Sequence, residues 1–370
     1  MRDVVSVVIF EGGYPAGAVE KMITDVRHAV MLDNIVKMQQ VPEIGPVYLF
    51  TNYPELAREA ACMGVMVREN NLTVDQFHFG NTLQALINEE KLEHVLYMGG
   101  ASIPLVTVEE LTTICRDLLS TAPIVYSNNA QSADIIAFTP GMLINNIEPP
   151  QVDNILAIAL KDGCGVEHIL FPNTIGFLFD LDTPADLLIL AGSPLAGPRT
   201  KRCLEGIPLD LSSLERAKSV LGGDYEEAIL LGRVGAPLIA HINKNLKLRL
   251  RIFSEERGMK ALGREENGLA VSLMGYFLEE VGPRRFFEYC EKVAQCAFMD
   301  TRVLMVHFNM KLDAEERFLS DLGQWQELRH PLLREFTRAA VECSIPVICG
   351  GHSLVLGGLW ALVDEIGPTY

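Results

Sequence analysis

Three loop segments and one basic strand hold the residue types that could do chemistry. Gly12-Gly13-Tyr14-Pro15-Ala16-Gly17 follows an apolar run at 4–10 and precedes a helical pattern reaching about residue 39. Glycines let backbone amides approach an anion, and the start of a helix attracts negative charge. The spacing is neither a Walker loop nor a dinucleotide fingerprint: no Lys follows Gly17 and no G-x-G-x-x-G is present. A plain tight turn would use the same residues. Tyr97-Met98-Gly99-Gly100-Ala101-Ser102-Ile103-Pro104 again stands between a strand pattern and a helical one. The third segment is Asp180-Leu181-Asp182-Thr183-Pro184-Ala185-Asp186-Leu187. Thr183 or Asp182 suits an N-cap, Pro184 the first helical turn, and Asp186 the positive end of the helix dipole. That leaves Asp180 and Asp182 as candidates for a hard cation, which takes carboxylate oxygens.

The second half supplies bases. Lys244, Lys247, Arg249, Arg251 and Arg257 surround an expected strand, and alternation puts Lys247, Arg249 and Arg251 on one face. A solvated edge face explains them, as does an anion site fed by Arg251 and Arg257. Other expected strand ends bring Glu255, His307 and the Gly350-Gly351-His352-Ser353 turn. The anion pocket expected from this pattern comprises Arg251, Glu255, Arg257, His307, Gly351, His352 and Ser353. No ligand spacing among them marks a metal site.

These residues need a scaffold, and the chain alternates strand-like and helical segments with short connections. Apolar runs at 4–10, 47–50, 65–68, 94–98 and 123–126 read as strands, with helical patterns between them. The pattern resumes at 228–231, 246–253, 303–307 and 345–349. Both halves are therefore expected to be α/β with mostly parallel, doubly wound sheets, where loops at the carboxyl ends of strands carry the chemistry. The 193–208 stretch, with Pro194, Gly197, Pro198, Gly206 and Pro208, interrupts both periodicities. It places the boundary between a domain at 1–195, a linker at 196–211 and a domain at 212–370. Ser212 and Glu215 suit a capping box opening the second domain's first helix.

Residues 1–200 hold 24 acids and 10 bases, and residues 201–370 hold 24 and 21, so the chain's net charge of −17 is concentrated in the first half. Such acidity argues against a nucleic-acid partner, because phosphate affinity comes from Lys and Arg. The eight cysteines form no CxxC pair and read as reduced thiols of a cytoplasmic protein. The start passes straight into a strand pattern, so no leader is expected. Glycines break the apolar stretch at 345–363, so no membrane span is expected.

The first 190 residues or so resemble nucleotidyltransferases of the nucleotide-diphospho-sugar transferase fold. Molybdenum-cofactor and 2-phospholactate guanylyltransferases are the nearest kinds. The resemblance rests on the strand and Gly-Gly loop Val7-Val8-Ile9-Phe10-Glu11-Gly12-Gly13, the Gly-rich strand end at Gly99, and the Asp-x-Asp-Thr-Pro-x-Asp-Leu segment at 180–187. It implies NTP-dependent nucleotidyl transfer to a small phosphorylated or cofactor-like acceptor. Nucleotide contacts would fall on Gly12, Gly13, Lys21, Gly99, Gly100, Ser102, Asn128 and Asn129. Mg²⁺ would be held by Asp134, Asp180 and Asp182, the last two also being catalytic. The family's Gly-Asp-x-Pro aspartate has no counterpart in Gly99-Gly100-Ala101-Ser102-Ile103-Pro104, and no Arg or Lys follows Gly13 directly. A non-catalytic nucleotide- or metabolite-binding protein with a regulatory role, and a sugar-nucleotide-dependent glycosyltransferase, are the alternatives. The second domain is expected to be Rossmann-like and to bind a small anionic metabolite; it carries no family resemblance.

Overall fold

The computed structural model describes residues 3–69, 77–130, 132–260 and 262–367. It falls into two compact units. Unit 1 comprises Met1–Tyr14, Arg27–Phe177 and Gly197–Thr200; unit 2 comprises Pro15–Val26, Leu178–Ala196 and Lys201–Tyr370. The division is thus interleaved, not a single cut in the 193–208 stretch. Two buried carboxylates show how the crossing segments are held. Asp33 accepts from the amides of Arg199 (3.2 Å) and Thr200 (2.9 Å) within unit 1. Asp186 accepts from the Ser353 hydroxyl at 2.7 Å within unit 2.

Unit 1 is built on a seven-stranded sheet of β1 (Val5–Glu11), β2 (Ile44–Thr51), β3 (Met66–Glu69), β4 (His94–Gly99), β5 (Ile124–Ser127), β6 (Ile135–Thr139) and β7 (Glu167–Leu170). Its order is β3-β2-β1-β4-β6-β5-β7, with β6 antiparallel to both neighbours and the other pairs parallel. β1 reads Val-Ser-Val-Val-Ile-Phe-Glu and is buried along most of its length, which suits a strand covered on both faces. Val7 and Ile9 pack with Met31, Leu32 and Ile35 of the helix Ala18–Met38. Val8 packs on the other face with Phe79 and Leu83 of the helix Phe79–Glu90.

Unit 2 holds a four-stranded, wholly parallel sheet of β8 (Glu226–Gly232), β9 (Leu248–Ser254), β10 (Cys296–Asp300) and β11 (Val347–Gly350). Its order is β11-β10-β8-β9. In each sheet the chain winds outward from one strand and then returns to that strand's other side. The reversal lies between β1 and β4 in unit 1 and between β8 and β10 in unit 2. A crevice forms outside the carboxyl ends of strands at such a point, and ligands bind there in open α/β sheets.

Residues 303–307 are not a strand: Arg302–His307 is a short helix. The strand is the preceding Cys-Ala-Phe-Met-Asp run, buried throughout, and it ends at Asp300. Its unbranched Cys, Ala, Phe and Met residues look less strand-like than Val303 to Val306. Nor does Ser212 open its helix with a capping box. Leu211 is the N-cap, and Asp210 accepts from the Ser212 amide at 2.9 Å. Strands β6 and β7 carry no glycine-rich exit loop and were not distinguished by the sequence pattern. Among the described residues, no helix is long and apolar enough to cross a membrane. All eight cysteines are free thiols.

Candidate functional site

Above the β1/β4 reversal of unit 1 lies a cavity of about 650 Å³. One wall is aromatic: Phe10, Phe50, Phe77, Phe79 and Tyr97. Strand alternation sets this up, because Phe10, Phe50 and Tyr97 project from one face at the ends of β1, β2 and β4. Phe10 is the hub, edge-to-face with Phe50 at 4.8 Å, Tyr97 at 5.5 Å, and Phe77 and Phe79 at 5.6 Å. The polar rim comprises Glu11, Arg27, Asn52, Gln151 and Asp153. Tyr97 donates its hydroxyl proton to Asp153 at 2.7 Å. Burial, and then the Asp153 carboxylate, push the Tyr97 phenol well above its ordinary range, so it stays a donor.

The cavity's cation is already engaged. Arg27 Nε and Nη2 fork onto the buried Glu11 carboxylate at 3.1 and 2.8 Å. Glu11 in turn explains Gly100, where a Cβ would stand 2.2 Å from a Glu11 oxygen. The Gly99–Pro104 turn is stapled in place. Gly100 donates to the Phe10 carbonyl at 3.1 Å, and the buried Asn34 amide donates to the Ser102 carbonyl at 3.1 Å. Ser102 donates to the Asp134 carbonyl at 3.3 Å. Asn128 accepts from the Asp134 amide at 3.1 Å and donates to the Phe177 carbonyl at 3.3 Å. The Asn129 carbonyl accepts from Ser127 at 2.9 Å. Of these turn residues, only Gly99 lines the cavity.

Several amides in and after the first loop are committed. Gly13 N–H donates to Asn52 Oδ1 at 3.0 Å, and Asn52 Nδ2 returns a bond to the Gly13 carbonyl at 2.9 Å. At the N-terminus of the helix Ala18–Met38, Ala16 N–H donates to Glu20 at 2.8 Å. Val19 and Glu20 donate to the Glu315 carboxylate at 3.1 and 3.0 Å. A Cβ on Gly17 would stand 2.1 Å from the Glu315 carboxyl carbon, so any larger residue there would displace that carboxylate. Lys21 is exposed and pairs with Asp25 at 3.2 Å.

The Asp-x-Asp-Thr-Pro-x-Asp segment belongs to unit 2. Asp186 is fully buried and closes the start of the helix Pro184–Gly192, accepting from Thr183 N–H at 2.7 Å and Asp182 N–H at 3.0 Å. Burial, then the charge of Asp182, push its carboxyl up to about 7. Gly350 and Gly351 pack here, since a Cβ on either would come within 2.8 Å of Ala185 or Thr183. Asp180 Oδ1 accepts from the next amide, Leu181 N–H, at 2.9 Å, and Asp182 is exposed. Asp134 Oδ1 accepts from Asn154 at 3.3 Å in unit 1. Among the described residues, no group of three or more His, Cys, Asp and Glu side chains is placed to hold a metal ion. Asp134 lies in unit 1, and Asp180 and Asp182 lie in unit 2.

In unit 2 four of the seven expected anion-pocket residues are engaged by other protein groups. Arg251 donates to the Val293 carbonyl at 2.7 Å and pairs with Glu227. Glu255 accepts from Ser272 Oγ (2.5 Å) and Leu273 N–H (2.6 Å), and His307 Nδ1 accepts from Ser272 N–H (3.1 Å). Ser353 is taken by Asp186. Arg257 and His352 remain at the β8/β10 edge. The sequence reading missed their neighbours there, Arg233 and Asp300. Arg233 forks onto the fully buried Asp300 at 2.5 and 3.1 Å. Burial alone would raise the Asp300 carboxyl, but Arg233 brings it below its usual range. A buried carboxylate directly after an apolar run was the available signal.

His352 is pushed down to about 4, first by burial and then by Arg233 and Arg257, against Asp300 and Asp182. Its folded value lies below its unfolded one, so stability is lost as pH falls from about 6.5 to 4. The loss is about 3 kcal/mol. Asp186 titrates in an overlapping window with the opposite sign, so the wild-type curve alone hides the effect. The expected result is that urea unfolding of wild type minus His352→Gln shows this slope. A pH-independent difference would contradict it.

No protein-family model matches the chain. No curated protein matches it either. Solved structures do match, over about half of it. The chain is similar to a cytidylyltransferase from Leptospira borgpetersenii at 14% identity, covering 55% of this chain and 93% of that one, with a TM-score of 0.40. It is similar to a nucleotidyl transferase from Methanothermobacter at 14% identity, covering 50% and 95%, with a TM-score of 0.38. It is also similar to glucosyl-3-phosphoglycerate synthase from Mycobacterium tuberculosis, solved with Mn²⁺, UDP-glucose and phosphoglyceric acid. There the identity is 10%, the coverage 46% and 70%, and the TM-score 0.33. Such neighbours have nucleotide-diphospho-sugar transferase and cytidylyltransferase folds. The α/β class follows directly from the two sheets.

Proposed function

We propose that unit 1 binds a nucleoside-class ligand by its ring, and that it does so without metal-dependent nucleotidyl transfer. One observation carries the reading: an aromatic-walled cavity of about 650 Å³ with a polar rim lies at the sheet's reversal point. A heteroaromatic ring stacks on such a wall, and each stacked base contributes about 1–3 kcal/mol. Gln151 and Asp153 present carbonyl and carboxylate oxygens on the rim to its edge and to a ribose. The bonding of Gly13, Ala16, Val19 and Glu20 speaks against a triphosphate held by the first loop. So does the Arg27–Glu11 fork. This favours the binding-protein alternative over transfer.

Titration calorimetry with the four common ribonucleosides, without divalent cations, tests the reading. One of them should bind saturably at a single site. Absence of binding by all four would overturn it.

A further inference from the structure

The carboxyl edge of the unit 2 sheet holds a second arrangement with the marks of a built site. It begins with three consecutive residues, Glu255-Glu256-Arg257, whose side chains have different fates. Glu255 is bonded to Ser272 and Leu273. Glu256 takes both Arg264 forks at 2.8 Å and accepts from Val271 N–H at 3.3 Å. Arg257 is exposed and has no ion pair among the described residues, although two acids precede it. Glu256 adopts a left-handed φ of 53°, a conformation unfavourable for a non-glycine residue. Backbone strain of this kind persists only where surrounding structure enforces it.

The Arg257 guanidinium lies over the turn that follows β8. An ideal Cβ on Gly235 would be 3.7 Å from its Nη2. In the same turn Gly232 has a φ of +109°, and a Cβ there would stand 2.5 Å from Asp300 Cβ. Glycine therefore lets β8 end against Asp300, which grips Arg233 through Nε and Nη2. The third nitrogen, Nη1, carries no bond among the described residues. A guanidinium fixed on one edge by a buried carboxylate is pre-oriented on its other edge, and pre-orientation lowers the entropic cost of binding. His352 stands at the same edge, two residues after Gly350, which pairs with Asp300 across β10 and β11. His352 is held neutral by burial and by both arginines, while Asp300 and the exposed Asp182 oppose them.

We propose that this edge binds a small oxyanion, a carboxylate or phosphate group of a metabolite, between Arg257 and the open edge of Arg233, beside the His352 ring. Asp300 is a positioning residue that acts through Arg233. The site is independent of the unit 1 ligand and stands if that reading fails.

The test uses the full chain and two probes, inorganic phosphate and acetate, followed by NMR of the His352 ring protons and the arginine Nε–H signals. At least one probe should shift His352 saturably at millimolar concentration. Arg257→Gln, a change at an exposed side chain, should weaken that saturation at least tenfold. Arg284→Gln, far exposed and paired with Glu288, should leave it unchanged. Saturation by acetate alone would assign a carboxylate, and by phosphate alone or both a phosphate-compatible site. No saturable shift with either probe, or equal saturation in Arg257→Gln, would overturn the proposal.

Discussion

Asp321→Ala should cost about 3–5 kcal/mol, the largest loss expected from any single polar change in unit 2. Arg302 and Asp321 are both buried. Arg302 Nη1 donates to Asp321 Oδ1 at 3.0 Å, Nη2 donates to Oδ2, and Nη1 also reaches Thr301 Oγ1 at 3.1 Å. Burial alone would favour the uncharged guanidine, but Asp321 holds the Arg302 proton on. Removing Asp321 leaves a charge in a medium that cannot solvate it. The midpoint of thermal unfolding should fall on the order of 10 °C. Arg302→Met with Asp321→Leu removes both charges and should recover most of the loss, because an apolar pair of similar volume has no desolvation cost. If Asp321→Ala unfolds within 1 kcal/mol (roughly the value of an exposed ion pair), the pair is not desolvated as described.

Phe79→Ala is the second large effect, and it joins packing to binding. Phe79 is 3% exposed and packs against Phe10 and Tyr97 at 5.6 and 4.8 Å. Truncation removes the ring and leaves a void beside two others, at about 3–5 kcal/mol. Since the ring also lines the cavity, nucleoside binding should be lost with it. Phe50→Leu separates the two effects. Phe50 is half-buried, and leucine keeps most of its bulk without a π-face. Chemical denaturation should then show near-wild-type stability while calorimetry shows binding weakened about tenfold, as loss of one stacking partner implies. Wild-type affinity in Phe50→Leu would remove the ring-stacking account.

The sequence pattern carried β1, β2 and β4 well, because apolar runs that stop at Gly12-Gly13, Thr51-Asn52 and Gly99-Gly100 have few other uses. It placed Gly12, Gly13 and Gly99 at the ends of strands for the same reason. It did not reveal what would satisfy the loop's amides. Glu315 lies 296 residues from Val19, and no local pattern marks it as a helix cap. The 180–187 segment was legible as a helix start, and Asp186 and Thr183 do close that helix. Its packing against Gly350, Gly351 and Ser353 depends on a long-range contact invisible to periodicity. The aromatic wall was missed because Phe10, Phe50 and Tyr97 each fall inside apolar strand runs, and nothing in the pattern singles out Phe79. Only the register of β1 with β2 and β4 gathers them. Arg251 was misplaced for a related reason. Alternation fixes which face it takes, but not that the Val293 carbonyl lies within reach.

The most direct test compares one nucleoside with its own triphosphate, each with and without Mg²⁺, while pyrophosphate release is followed. If unit 1 holds the ring and the first loop does not hold phosphates, the two should bind within a few-fold of each other. Mg²⁺ should make no difference, and no pyrophosphate should appear. A triphosphate that binds at least a hundredfold tighter with Mg²⁺ and releases pyrophosphate would contradict the account and restore nucleotidyl transfer as the activity.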